Sequence, residues 1–261
     1  MARVRRASVA GMFYPGDRAR LEGAVRGLLA DTKSDGPAPA AIIAPHAGYV
    51  YSGPVAASAH ARLAPLAGKV RRVVLIGPAH RLAFRGIAVS DAESFATPLG
   101  EIPIDRAAVA RIAALPQVKR LEQAFDGEHC LEVHLPFLQI VLGAFQLVPL
   151  VAGDATGAEV EEVLELLWDS DATLPVISSD LSHYHDYETA RRQDRATARA
   201  IEALDDAALG WDDACGRVPI AGLLRIARRR GLAAATVDLR NSGDTAGPKT
   251  EVVGYGAWVL T

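Results

Sequence analysis

The amino-acid sequence predicts an α/β fold: three layers, αβα, with a mixed central sheet covered by helices on both faces. Three observations predict it. Short apolar runs alternate with longer stretches of helical pattern, at the spacing of strand–helix units. Runs such as AIIA and VVLI are continuously apolar, as strands buried on both faces are. The last two runs, AAATVDL (233–239) and VVGYGAWV (252–259), are joined by a loop too short for a helical crossover, so they pair antiparallel and make the sheet mixed.

The elements follow in order. A helix over 17–31 ends at the linker-like KSDGPAPA (33–40), and the first strand, 41–45, follows. Gly53 opens a helix over 53–66. A strand over 70–76 is stopped by Gly77-Pro78, and another covers 86–90. ATPLGEIPID (96–105) reads as strand–turn–strand, with Pro and Gly marking the turns. Helices over 105–114 and 130–142 precede a strand over 145–151. A helix over 157–168, a strand over 174–179 and helices over 188–204 and 217–230 lead to the final strand pair. No repeat or low-complexity block interrupts the pattern, and 1–261 reads as a single domain.

Composition excludes several functions. Half the residues are apolar, enough for a large core, and 6% are aromatic. The net charge is −3 with no basic stripe, which removes the electrostatic footprint of a nucleic-acid binder. Arg3, Arg5 and Arg6 are followed by no apolar segment of signal-peptide type, and no run reaches membrane-spanning length. Two cysteines, Cys130 and Cys215, cannot make a disulfide framework, so the expected setting is cytoplasmic, with reduced thiols. There is no phosphate loop, no dinucleotide fingerprint, no H-E-x-x-H and no G-x-S-x-G.

Three histidines stand just past strand ends: His46 after AIIAP, His80 after VVLIGPA and His183 after PVISSDLS. Parallel strand ends open onto one edge of an α/β sheet, where ligands bind, so the three imidazoles can converge there in a metal or proton-transfer site. Each has a plainer reading. His46 can be a histidine bonded inside its turn, with Tyr49 and Tyr51 supplying nearby pocket hydroxyls. His80 can be a surface loop residue, and Arg81 beside it can bind an anion or face solvent. Asp180 can orient His183 as a general base or a ligand, or simply cap a turn. His185 and Tyr184 flank His183. Cys215, just before a helix, is a candidate low-pKa thiolate, soft ligand or nucleophile, or an inert buried thiol. Cys130 reads as core packing within a helix. Glu128 and His129 precede that helix and are candidate pocket residues, although Glu128 also suits the helix dipole.

Nine motifs occur in order: VAGMFYPGD (9–17), PHAGYVYSGPVAA (45–57), GPAH (77–80), TPLGEIPID (97–105), EHCLEVHLPFLQ (128–139), SSDLSHY (178–184), CGRVPI (215–220), NSGD (241–244) and VVGY (252–255). Together they resemble the Memo family, whose bacterial and archaeal members are also called AmmeMemoRadiSam system protein B. That family resembles the class III extradiol dioxygenases in fold. The resemblance implies an extradiol-dioxygenase-like sheet and a metal bound by His46, His80 and Cys215, with Asp180 and His183 as further pocket residues. Extradiol dioxygenases use two histidines and a carboxylate. A thiolate in the third position favours softer metals and is itself oxidisable, so ring cleavage is not carried over.

The expectation is a metal-binding protein that acts as a nonhaem-iron or copper redox enzyme, dioxygenase-like, on an unknown substrate. Iron(II) is the first choice of ion, with copper or zinc as alternatives. His183, oriented by Asp180, would handle protons. The alternatives are a non-catalytic scaffold that binds a peptide or partner, and a zinc hydrolase. A small-molecule or peptide ligand is expected in the pocket, with protein partners from the same system and neither nucleic acid nor membrane. The resemblance also implies partner-binding roles in animal members, including phosphopeptide recognition, but here only Arg81 and Arg217 stand near the site motifs, too few for a phosphate-binding cluster.

Overall fold

The continuously apolar runs form the centre of a nine-stranded mixed sheet. The computed structural model describes residues 3–32 and 35–261; Lys33 and Ser34 of the linker-like stretch lie outside it. In chain order the strands and α-helices are β1 (Val4–Arg5), α1 (Arg18–Ala30), β2 (Ala41–Ala44), α2 (Tyr49–Ala61), β3 (Arg72–Pro78), β4 (Ile87–Val89), β5 (Ser94–Thr97), β6 (Gly100–Pro103), α3 (Arg106–Ile112), β7 (Val118–Arg120), α4 (Leu135–Leu142), β8 (Gln146–Ala152), α5 (Gly157–Leu167), β9 (Thr173–Ser178), β10 (His183–His185), α6 (Tyr187–Glu202), α7 (Arg217–Arg230), β11 (Ala234–Asn241) and β12 (Val252–Leu260).

The strand order is β10–β12–β2–β9–β3–β8–β4–β7, with β11 paired to β12. β2, β9, β3 and β8 run parallel, and every residue of β2 and β9 is buried. β12 is antiparallel to β2 and to β11, so the short loop before it does make the sheet mixed. Helices α1, α2 and α4 pack together, with α2 against β2, β11 and β12. Helices α3, α5 and α7 pack together, with α7 against β3 and β9. The result is the three-layer αβα arrangement. A small separate sheet joins β1 to the β5–β6 hairpin, the strand–turn–strand excursion of the sequence.

Register sets up the site. Ala44 of β2 is level with Ser178 of β9, and Ile76 of β3 is level with Ile177. The chain therefore leaves three adjacent parallel strands at one edge, a few residues before His46, His80 and Asp180. No helix among the described residues is long and apolar enough to cross a membrane.

Strands β1, β7 and β10 are not among the elements expected from the sequence, and three of the shifted boundaries bear on the site residues. β3 continues through Gly77-Pro78, which pair with Val151 and Ala152. Proline is tolerated there because it ends the strand. Helix α2 begins at Tyr49, not Gly53; Leu28 of α1 lies 3.0 Å from where a Gly53 Cβ would stand, so the glycine serves close packing inside the helix rather than a start. The helix expected from 130 begins at Leu135, where Pro136 suits a first turn, and Cys130 lies in a turn instead.

The seam between α5 and α7 gives a test of packing. A Cβ on Gly222 would stand 2.4 Å from Val160 Cγ1. Helix propensity alone favours Ala over Gly by about 1 kcal/mol. Overpacking costs about 1–3 kcal/mol and decides the sign. Gly222→Ala is expected to lower the urea midpoint; a raised midpoint would mean that the seam yields without strain.

Candidate functional site

Two buried carboxylates fix the two histidine-bearing turns. Asp180, two residues past β9, accepts the backbone N–H of His46 at 2.8 Å through Oδ1. Glu128 accepts the backbone N–H of His80 at 2.7 Å through Oε2, and its Oε1 lies 2.9 Å from His80 Nδ1. Because a carboxylate only accepts, His80 Nδ1 carries the hydrogen, and Nε2 is left available to a ligand. The same Oε1 accepts the backbone N–H groups of His129 and Cys130. His46 Nδ1 lies 2.6 Å from Ser178 Oγ, and its Nε2 lies 3.4 Å from Cys215 Sγ.

Cys215 reaches this edge from the loop before α7. The Gly216 N–H donates to Ser179 Oγ at 2.9 Å, and the Asp180 N–H donates to Cys215 Sγ at 3.3 Å. The approach is close: a Cβ on Gly216 would stand 2.5 Å from the Ser178 carbonyl oxygen, which requires glycine there. Ligand atoms of His46, His80 and Cys215 all lie within 4.8 Å of one another, as do those of His80, Glu128 and His129. At ordinary bond lengths, a nitrogen and a sulfur on one tetrahedral ion stand about 3.6 Å apart. The 3.4 Å between His46 Nε2 and Cys215 Sγ is close to that, so this pair of donors fits a transition metal, and His80 lies within reach of the same position.

Burial dominates the electrostatics. It lowers His46 well below the usual histidine range, with the neighbouring imidazoles of His80, His129, His134 and His183 adding to the effect. Burial, then the charge of Asp180, pushes the Cys215 thiol up to about 12. The thiolate expected from a position before a helix is therefore not the resting form. Burial also raises Asp180 to about 7, against the opposing His46 N–H bond. At Glu128 burial acts to raise the carboxyl, but the hydrogen bond and charge of His80 and the N–H groups around it outweigh burial and bring it to about 2.

The other residues singled out in the sequence fall on both sides of the site. The His129 ring stacks on His80 with centroids 4.8 Å apart and lies edge-on to His46 at 5.4 Å. Burial lowers it to about 4, an effect that Arg81, exposed beside His80, reinforces. His183 opens β10 and is lowered, by burial first and by His80 among lesser causes. No hydrogen bond joins it to the Asp180 carboxylate among the described residues; that carboxylate is committed to the His46 turn. Tyr51 is half-exposed. Tyr49 does not reach the site: it is buried against Phe137 and Tyr14, and its hydroxyl donates to the Val133 carbonyl at 2.7 Å. A residue on the first turn of α2 points into the helix layer, which the expected start at Gly53 concealed.

Sequence reasoning missed Ser178, Ser179 and Tyr255. The buried Tyr255 of β12 is raised by burial and by the nearness of Asp180, Tyr51 and Tyr184. The only local signals were the paired serines before Asp180 and the tyrosine of VVGY.

Comparison with known proteins bears on the family and the fold. The family model for Memo-like proteins matches residues 5–259. A MEMO1 family protein of Thermotoga sp. (strain RQ2) is 34% identical over 281 residues, covering 98% of this chain and 99% of its own. A MEMO1 family protein of Aquifex aeolicus (strain VF5) is 35% identical over 268 residues, covering 97% of each. Among solved structures, the uncharacterized protein JW3007 from Escherichia coli K12 superposes with a TM-score of 0.57 over 84% of this chain and 98% of its own, at 13% identity, a likeness of fold alone.

Buried neutral histidines make stability depend on pH. His60 of α2 is fully buried, and burial lowers it from 6.5 to about 4. The unfolded chain then binds a proton that the folded chain refuses, so this contribution is complete above pH 6.5 and is lost as pH falls to about 4. The loss is about 3 kcal/mol for one such group. Asp180 and Asp194, raised to about 7 and about 6 chiefly by burial, act in the opposite sense, so a variant isolates the effect. Urea unfolding of His60→Phe should fall less steeply than the parent between pH 6.5 and 4; parallel profiles would mean that His60 protonates freely in the fold.

Proposed function

This chain belongs to the Memo-like family, and from that premise we propose that it is a metal-binding protein with dioxygenase-like redox activity on a small-molecule substrate. His46 Nε2, His80 Nε2 and Cys215 Sγ would hold one ion, iron(II) first, with copper or zinc as alternatives. The observation that carries the reading is the meeting of two imidazoles and a thiol at one sheet edge, each from a different strand end or helix start. Two neutral nitrogens and one anionic ligand leave open positions, as redox sites need. A bound iron or copper ion would supply one-electron chemistry with O₂.

The residues would divide the remaining work. Glu128 holds His80 by backbone and ring together, and Asp180 holds the His46 turn. The Cys215 thiol gives up its proton when a cation binds. Asp180, with a carboxyl near neutrality and Oδ2 3.9 Å from His46 Nε2, is placed to take it. His183, partly open and near enough to His46 to act on its charge, is the proposed proton-transfer residue for substrate. The two free thiols suit a reducing cytoplasm.

A second reading has its own support. Six exposed large apolar side chains, Met12, Val50, Tyr51, Leu82, Tyr184 and Trp211, lie on segments next to the site residues, and Arg217 stacks on Trp211 at 3.5 Å. Exposed apolar groups on these segments would suit docking of a peptide or protein partner. A redox-silent zinc centre that activates water is the third reading.

Elemental analysis after purification without oxygen separates them. Cys215→Ser is expected to lose at least about 10–100-fold in metal affinity while staying folded; equal metal content would reduce Cys215 to a packed thiol. His183→Ala is expected to keep the metal and lose about 10²–10⁴-fold of O₂-consuming turnover. Metal lost with His183 would make it a ligand, and a parent protein that takes up only zinc and consumes no O₂ would contradict the redox reading.

A further inference from the structure

One further histidine, His134, stands behind His46 in a line of buried hydrogen bonds through Ser178, and His60 packs against its ring. Ser178 Oγ has three partners: His46 Nδ1 at 2.6 Å, His134 Nε2 at 2.9 Å and the Cys130 carbonyl oxygen at 2.6 Å. A carbonyl only accepts, so the single serine hydrogen goes to Cys130. Without it, two oxygens at this distance would meet lone pair to lone pair. Ser178 can then only accept from the two imidazoles, and it has a lone pair for each. His46 is thereby the Nδ1–H tautomer, and the Nε2 lone pair is the one 3.4 Å from Cys215 Sγ.

The second ring bears the cost. His134, fully buried, spends its hydrogen on Ser178, and its Nδ1 has no protein partner. Its neighbour His60, with ring centroids 5.4 Å apart, is fixed likewise. His60 Nδ1 donates to the Ala56 carbonyl at 2.7 Å, and its buried Nε2 also lacks a partner. Burial keeps both rings neutral. If His134 took the other tautomer, its Nε2 lone pair would turn on Ser178. The serine would then have to abandon either His134 or the Cys130 carbonyl.

We propose that Ser178 and His134 are positioning residues that fix His46 in the tautomer whose Nε2 is free to bind a metal ion. The proposal rests on the reading of His46 as a ligand. It adds to it a second support of the kind Glu128 gives His80, built from a hydroxyl and an imidazole in place of a carboxylate. Support of this sort typically changes metal affinity about 10–100-fold when removed.

Long-range proton–nitrogen spectra of the ¹⁵N-labelled, metal-free protein read the tautomers directly. His46 is expected with its hydrogen on Nδ1 and His134 with its hydrogen on Nε2. His46 found with its hydrogen on Nε2 would overturn the proposal without any variant. Ser178→Ala and His134→Phe should mix or reverse the His46 tautomer and weaken zinc(II) binding about 10–100-fold in competition with a chelator. His134→Gln, whose side-chain amide can donate to Ser178 in the same direction, should restore both. Parent-like tautomer and zinc affinity in Ser178→Ala and His134→Phe would overturn it, as would a His134→Gln no better than His134→Phe, the signature of packing alone. Failure of the metal reading looks different: the parent takes up no zinc while its tautomers stay as stated.

Discussion

The site depends on three parallel strands, β2, β9 and β3, lying side by side and ending level with one another. Their pairing is local hydrogen bonding and apolar burial, yet it brings together turns that are remote in sequence. His46, Asp180 and His80 are neighbours because Ala44, Ser178 and Pro78 end adjacent strands. Cys215 joins them because Gly216 lets the start of α7 lie against the end of β9.

Carboxylates at this edge hold backbone before they hold side chains. Asp180 and Glu128 each accept the N–H of a histidine, which ties the turn geometry to the orientation of the ring it carries. Burial favours the neutral forms of the Cys215 thiol, His46 and His129, while the hydrogen bonds at Glu128 favour its charged form. On the proposed reading, cation binding would draw the proton from the Cys215 thiol, with Asp180 at hand, so uptake would strengthen as pH rises.

Much of this was legible in the sequence. AIIA and VVLI are apolar without alternation, and that marked the parallel centre; Pro and Gly after them marked the turns that carry His46 and His80. Glu128 was visible as a carboxylate before a helix, but not as the partner of His80, because that contact crosses 48 residues of chain. Asp180 three residues before His183 suggested a pair with that imidazole, whereas the carboxylate turns toward His46 on the neighbouring strand. Tyr49 misled because Gly53-Pro54 imitates a helix start; tertiary packing of Leu28 on Gly53 decides otherwise. His134 and His60 gave no signal, and the paired serines before Asp180 did not reveal their partners, since these roles arise only when β9, α2 and the turn before α4 pack together.

The most direct test of the central claim is X-ray absorption at the metal edge of protein loaded with one equivalent of iron(II) or zinc(II). A sulfur scatterer at about 2.3 Å together with imidazole nitrogens at about 2.0–2.1 Å is the predicted first shell. A shell of nitrogen and oxygen alone, with no sulfur, would contradict the assignment of His46, His80 and Cys215 as a single metal centre.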